Sequence, residues 1–232
     1  MLGTLFEELS KIEGLERIRL SSIEPTDVTD ELIEAMRTFP EACPHLHIPL
    51  QSGDDFILER MNRRYRRQFF IELVKKLKER FSDFVLTTDV MVGFPGEGEA
   101  HFEQTIQTLL ETQPYKLHIF PYSKREGTRA ERFQNEIAST EVNRRKTALF
   151  SIEEKMRRQV ERDFIGKTMD LLLEEGETEE GWLSGRGANY IKAYIWKQGS
   201  CRERGMIRIR LEEQQRDGRL IGRECQTGRG VL

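Results

Sequence analysis

The sequence predicts two folds in succession, a parallel α/β domain followed by a small antiparallel all-β barrel. Strand-like runs alternate with helical patterns as far as residue 121, which is typical of βα units and a parallel sheet. A long, heavily charged helix follows, and after Lys167 the helical spacing gives way to short alternating runs. We therefore predict an α/β core over 1–139, a linking helix over 140–163 and a β domain over 164–232.

Each predicted strand of the first domain is a short apolar run that a helical pattern follows. In parallel βα architectures the carboxyl ends of the strands share one rim, where the chemistry lies. The strand ends here are polar or glycine-rich, so we expect a binding site at that rim. The strands are predicted at Arg17–Ser22, His45–Leu50, Phe84–Val92 and Lys116–Phe120, and the helices at Leu5–Ile12, Asp30–Thr38, Arg66–Arg80 and Ala100–Thr112.

The last part of the chain has the pattern of short antiparallel strands. Asp217-Gly218 predicts a hairpin turn that joins two of them. About seventy residues of such strands favour a small closed barrel over a sandwich. The clearest strands are predicted at Lys167–Leu173, Tyr190–Ile195, Met206–Leu211 and Arg219–Glu224.

Composition and charge exclude several classes of protein. The net charge of −3 gives no overall attraction to nucleic acid, and no apolar run is long enough to cross a bilayer. The amino-terminal residues lack the basic region of a signal peptide, so we predict a cytoplasmic protein without a membrane partner. The three cysteines are too far apart in the sequence for two of them to bind a metal ion from one short loop. His45 and His47 share one strand face, but hydrogen-bonded core histidines are the commoner case, and we predict no metal ligands.

Two strand-end motifs offer groups for a small ligand. The turn Val92–Glu97 has glycines that permit close backbone approach and a proline that fixes the loop, as wrapping of an adenine or ribose requires. A plain βα turn is the alternative. In His47–Gly53, the Gln51 amide and the Ser52 hydroxyl supply a donor and acceptor pair for a sugar hydroxyl or an amino-acid group.

Five motifs follow one another along the chain: Arg17–Pro25, His45–Gly53, Met61–Tyr65, Thr88–Glu97 and Phe120–Thr128. In this order they resemble the methylthiotransferases of the radical S-adenosylmethionine (SAM) superfamily, and the resemblance covers nearly the whole chain. It implies a partial (βα)6 radical SAM barrel with about four of its six strands, followed by a TRAM-like barrel that grips RNA. The motif sequences at residues 21–25 and 62–65 look most like those of the branch that modifies N6-threonylcarbamoyladenosine at position 37, in the tRNA anticodon loop. The branches acting on isopentenyladenosine-37 or on a ribosomal protein remain alternatives.

The resemblance also implies cofactors and contacts. In the family, one [4Fe–4S] cluster cleaves SAM to a 5′-deoxyadenosyl radical and a second delivers sulfur. The protein itself binds and orients the cofactors and shields the reaction from water. Arg63 would pair with the SAM carboxylate, which a guanidinium matches bidentately. The implied SAM contacts are Glu24, Gln51, Ser52, Arg63, Asp89 and Tyr122 with the backbone of Gly93, Phe94 and Pro95. For RNA we predict Lys167, Arg186, Tyr190 and Lys192 with Tyr194, the tyrosines being equally suited to packing.

The cysteines are where this sequence departs from the family. Members carry a Cys-x3-Cys-x2-Cys loop and three further cysteines, and this chain has none of these, only Cys43, Cys201 and Cys225. Thiolates are the required ligands of such clusters. We therefore expect that the chain alone binds no [4Fe–4S] cluster and is inactive, with a separate N-terminal half, a gene fragment or a shortened gene as the explanations. A non-catalytic RNA- or partner-binding module is the alternative of another class.

Overall fold

The computed structural model describes residues 2–175, 181–197 and 205–225. The chain divides into two compact units, Met1–Arg157 and Arg158–Leu232. No helix among these residues combines the length and the apolar character that a membrane span needs.

The first unit is built on a parallel sheet of three strands in the order β1-β2-β3. Helices precede or follow each strand, as the alternating pattern predicts. The strands are β1 (His45–His47), β2 (Val85–Val92) and β3 (Lys116–Pro121). The helices are α1 (Leu2–Ser10), α2 (Asp30–Thr38), α3 (Asp55–Arg60), α4 (Arg67–Arg80) and α5 (Glu99–Thr112), with short 3-10 turns at Pro25–Asp27 and Arg129–Arg132.

The predicted first strand, Arg17–Ser22, is wrong as a regular strand. The segment makes only two isolated parallel bridges, Ile18 to Ala42 and Ser22 to His47. The two bridges differ in register by one residue, so no continuous ladder can join them. Pro44 also lies between the two partners and has no N–H to donate.

Side chains on β1 and β2 alternate between an apolar core and a polar face. Leu46, Ile48, Leu86 and Val90 are fully buried in the main core. At the intervening positions, four side chains are polar and lie on the opposite face with Val85 and Met91: His45, His47, Thr87 and Asp89. This alternation gathers the polar groups of the sheet on one face.

Local capping explains where several helices begin and end. Thr29 caps α2, as the sequence predicts, by accepting a hydrogen bond from the Leu32 N–H at 3.3 Å. Asp54 caps α3 in the same way through the Ile57 N–H at 3.0 Å. Gln113 ends α5 in the left-handed conformation, with φ 44°. The Asp54 cap fixes the start of α3 directly after the Gln51–Gly53 loop.

The long helix α6 (Ser139–Phe164) leads into a second unit that is a closed five-stranded barrel. Its strand order is β4-β5-β6-β8-β7, and Gln215, Gly218 and Arg219 form the predicted hairpin turn before the last strand. Strand β5 was not among the strands predicted above. The strands are β4 (Thr168–Glu175), β5 (Trp182–Gly187), β6 (Lys192–Trp196), β7 (Gly205–Gln214) and β8 (Leu220–Glu224).

Candidate functional site

The carboxyl ends of the three strands lie together at one edge of the sheet, which is here called the rim. The Gln51 N–H donates to the Asp89 carbonyl at 2.8 Å, and the Met91 N–H donates to the Gln51 carbonyl at 2.9 Å. On the other side of β2, the Tyr122 N–H donates to the Val92 carbonyl at 2.8 Å. Gln51 and Tyr122 therefore flank the end of β2, as the parallel topology predicts.

Two polar atoms at the rim have no hydrogen-bond partner among the residues that the structure describes. They are the Gln51 Oε1 atom and the Tyr122 hydroxyl, and both are buried. Gln51 also has φ 61°, a backbone conformation that costs free energy in a residue other than glycine. Buried polar groups are almost always satisfied in native proteins, so both atoms fit a site where a bound molecule supplies the partner.

The loop that carries Arg63 is fixed to the end of β1. The Tyr65 hydroxyl donates to the carbonyls of Pro49 at 2.9 Å and Leu50 at 3.0 Å. Burial raises the pKa of Tyr65, so it remains a donor at neutral pH. Arg63 pairs with Glu24 at 2.8 Å. The structure thus brings two predicted SAM contacts together, with the guanidinium already holding a carboxylate of the protein.

The glycine turn after β2 is fixed by a buried ion pair. The Gly93 N–H donates to the Glu97 carboxylate at 2.6 Å, and Arg145 of α6 donates to the same carboxylate at 2.8 Å. Glu97 and Arg145 are almost fully buried, with 1% and 4% of their side chains exposed. Phe94 packs edge-on against Tyr122, at 5.3 Å between ring centroids. The Glu97–Arg145 ion pair therefore holds the turn of Gly93, Phe94 and Pro95 in place beside the rim.

Ser52 is used within the protein. Its hydroxyl lies 3.4 Å from that of Thr105 and accepts from the Asp54 N–H at 3.3 Å. The next residue, Gly53, packs so closely on α5 that an added Cβ would lie 2.6 Å from the Thr105 Cα. The predicted role of Ser52 in cofactor binding stays a prediction, and its visible role is to seat the loop.

Below the rim, the polar face of the sheet holds a connected set of histidines around Asp89. His47 Nε2 lies 3.1 Å and His118 Nδ1 3.4 Å from Asp89 Oδ1. Burial opposes ionisation of Asp89, but hydrogen bonds and charge from the two histidines hold its pKa below the ordinary value. Thr87 lies between His47 and His45, at 2.9 and 3.1 Å. His118 was missed in the sequence because its partners come from other strands.

In the barrel, the structure groups most of the residues predicted to contact RNA. Arg186 of β5 and Lys192 of β6 are directly paired across the ladder, so their side chains share a face. Arg186 lies 4.6 Å from the Tyr190 ring centroid, and Lys192 lies 5.1 Å from that of Tyr194. Lys167 is not part of this group: it precedes β4, whereas Arg186 pairs with Leu172 near the other end of that strand.

Comparison with known proteins relates the first unit to a protein family. Residues 2–109 match the radical SAM superfamily. The match covers most of the first unit. Coproporphyrinogen III oxidase (HemN) from Escherichia coli has a similar fold over 67% of this chain and 36% of its own, with a TM-score of 0.53 and 15% identity. The predicted fold class is thereby confirmed, with three regular strands in the α/β part.

The sequence is also similar to tRNA methylthiotransferases. It is 40% identical over 188 residues to the tRNA-2-methylthio-N(6)-dimethylallyladenosine synthase of Saccharopolyspora erythraea, covering 79% of this chain and 38% of that protein. It is 34% identical over 221 residues to the threonylcarbamoyladenosine tRNA methylthiotransferase MtaB of Chlamydia pneumoniae, covering 95% and 52%. The chain thus spans about two fifths to one half of the relatives it matches.

The superfamily implies SAM and a [4Fe–4S] cluster, and the residues present fit only the first. Gln51 Oε1 and the Tyr122 hydroxyl are unsatisfied polar atoms at the rim, which suit the amine, carboxylate and hydroxyl groups of SAM. A cluster requires thiolates. Cys43 is buried before β1, at the opposite end of the strand, and Cys225 lies in the barrel unit. Cys201 is outside the described residues. The cysteines of the described residues therefore do not fit a cluster at the rim.

Proposed function

We propose that the chain is the SAM- and tRNA-binding part of a tRNA methylthiotransferase that modifies N6-threonylcarbamoyladenosine at position 37. The similarity to tRNA methylthiotransferases carries this proposal. The two unsatisfied buried polar atoms at the rim, Gln51 Oε1 and the Tyr122 hydroxyl, support its SAM-binding part, because they lie where a parallel βα fold binds its ligand.

In this proposal the rim holds SAM through contacts of different kinds. Gln51 and Tyr122 make hydrogen bonds to its polar groups, while the backbone of Gly93–Pro95 packs against the nucleoside. The Arg63–Glu24 pair lies on the two loops beside the end of β1 and suits the amino-acid end of SAM, which carries both an ammonium and a carboxylate. Asp89 lies below the rim and orients His47 and His118.

The assignment to the threonylcarbamoyladenosine branch rests on the motifs at residues 21–25 and 62–65. The MtaB protein of Chlamydia pneumoniae, a relative from that branch, is similar over 95% of this chain. A methylthiotransferase for isopentenyladenosine-37 is the second candidate, favoured by the slightly higher identity of 40%.

The barrel is proposed to bind the tRNA. Arg186, Lys192 and Tyr194 form one face of β5 and β6 that combines cations with aromatic rings, as stacking on bases and contact with phosphates require. Lys167 would contact the tRNA separately, from the other end of β4.

We further propose that radical chemistry requires cluster ligands from outside this chain, and that the protein works in the cytoplasm.

Nucleoside mass spectrometry of tRNA tests the proposed function. In a strain that lacks the gene, we expect loss of 2-methylthio-N6-threonylcarbamoyladenosine and accumulation of the unmethylthiolated nucleoside. The 2-methylthio derivative of isopentenyladenosine should remain as the internal control. Loss of that derivative instead would transfer the assignment to the second candidate, and two unchanged methylthio nucleosides would contradict a role in tRNA methylthiolation.

A further inference from the structure

The polar face of the sheet carries three potential metal ligands, one from each strand. They are His47 of β1, Asp89 of β2 and His118 of β3, and their ligand atoms all lie within 4.8 Å of one another. Asp89 and His118 are direct partners in the β2–β3 ladder, so the fold itself sets their spacing. We propose that this group, here called the His–Asp–His group, binds a divalent transition-metal ion such as Zn²⁺.

The distances fit such an ion. In a tetrahedral zinc site, metal–ligand bonds of about 2.0–2.1 Å place neighbouring ligand atoms about 3.3 Å apart. Asp89 Oδ1 lies 3.1 Å from His47 Nε2 and 3.4 Å from His118 Nδ1. The two imidazole rings stack, with their centroids 5.0 Å apart. An ion can therefore bind between the three groups with little rearrangement of the strands.

Thr87 supplies the outer contact that orients a metal-binding histidine. Ligating histidines usually donate their second ring N–H to a hydrogen-bond acceptor, which fixes the tautomer. His47 Nδ1 lies 2.9 Å from Thr87 Oγ1, and the Thr87 hydroxyl can donate in turn to His45 Nε2 at 3.1 Å. In the tautomer of His47 that carries its proton on Nδ1, the lone pair of Nε2 faces the Asp89 carboxylate. A lone pair and a carboxylate at this distance require a cation or a proton between them.

The ligand set and its exposure indicate the class of ion. Two imidazoles and one carboxylate suit Zn²⁺ or Fe²⁺, whereas Mg²⁺ and Ca²⁺ prefer oxygen ligands alone. Three protein ligands leave a coordination position for water or a substrate atom. The His118 side chain is half exposed while that of His47 is only 13% exposed, so the group opens to solvent on the β3 side. This inference does not depend on the proposed SAM or tRNA binding.

Metal titration of the full, untagged chain after chelation tests the inference. We expect stoichiometric binding of Co²⁺ with visible d–d absorption, displaced by Zn²⁺. His118→Ala should weaken binding by at least about 100-fold, and Thr87→Val by about 10–100-fold, as loss of an outer contact typically does. His101→Ala is the matched control, because His101 lies on α5 beside Phe56 and outside the group, and it should bind as the parent does.

Two outcomes would overturn the inference. If the parent chain binds neither ion, the His–Asp–His group is a hydrogen-bonded triad with a proton in place of the metal. If His118→Ala binds as tightly as the parent, the ion sits elsewhere. Far-UV circular dichroism checks that each variant is folded, and His118→Ala decides the question even if the buried Thr87→Val variant does not fold, because His118 is half exposed.

Discussion

Replacing Arg145 with methionine is expected to destabilise the first unit by about 3–5 kcal/mol, because it leaves a buried charge without its partner. Arg145 donates to both the carbonyl and the carboxylate of Glu97 at 2.8 Å, and to Glu141 at 2.7 Å. In the variant, the only remaining donor to Glu97 that the structure describes is the Gly93 N–H. Urea unfolding followed by far-UV circular dichroism measures the effect, since all the described α-helices lie in residues 2–164.

The matched control is Arg144→Met, which removes the neighbouring arginine of the same helix. Arg144 also pairs with Glu99 and Glu141, but about half of its side chain is exposed, and exposed pairs contribute little to stability. We expect little change in its unfolding midpoint. Equal destabilisation by the two substitutions would contradict the role given to the buried pair.

The loss of folding stability in Arg145→Met should also depend on pH. Burial raises the pKa of Glu97 above its ordinary value, although Gly93 and Arg145 oppose this, and removing Arg145 raises it further. A carboxyl with a raised pKa holds its proton in the folded state at a pH where the unfolded chain has lost it, so stability falls as pH rises. The deficit of the variant should therefore be full above the folded pKa and shrink on acidification towards 4.5, the ordinary value.

Gly53→Ala is expected to destabilise the chain by about 1–3 kcal/mol and to weaken ligand binding at the rim, because the new methyl group collides with the backbone of α5. Its Cβ would lie 2.6 Å from the Thr105 Cα and 2.8 Å from the Gln104 carbonyl oxygen. Backbone atoms cannot move aside as a flexible side chain can, so the loop of Gln51 and Ser52 must shift. Urea unfolding and SAM binding, measured on the same preparations, check both effects.

Gly3→Ala is the control for this substitution. A methyl group at Gly3 of α1 would meet its nearest neighbour, the Glu31 carboxylate, at 3.4 Å, which is an ordinary contact. Alanine is also a better helix former than glycine, so we expect unchanged or slightly higher stability. Full stability and an unaltered rim in Gly53→Ala would show that the loop does not depend on its contact with α5.

Elements with strong local signals were predictable from the sequence. Helix α2 occupies the predicted residues Asp30–Thr38, because Thr29 is a good cap and the apolar spacing is helical. Strand β5 was missed because it contains Gly185 and Gly187, and glycine weakens the expectation of a strand. The reason for Gly185 is tertiary: an added Cβ would lie 2.2 Å from the Leu172 carbonyl oxygen of β4.

The position of the candidate site was predictable where its residues directly follow a predicted strand. Gln51 and the Gly93–Pro95 turn follow predicted strands, and the parallel topology brings them to one rim. Contacts between distant segments were not predictable in this way. Arg145 reaches Glu97 from another helix, and the His–Asp–His group requires the register of three strands, which no local pattern specifies. The individual contacts with SAM and RNA stay predictions.

The central claim, that the rim binds SAM, is tested most directly by titrating the isotopically labelled chain with SAM and following its backbone amide resonances. We predict saturable shifts concentrated at Gln51–Gly53, Gly93–Pro95 and Tyr122, and their loss in Gln51→Ala. Saturable shifts confined to other residues, or none at all, would contradict the account.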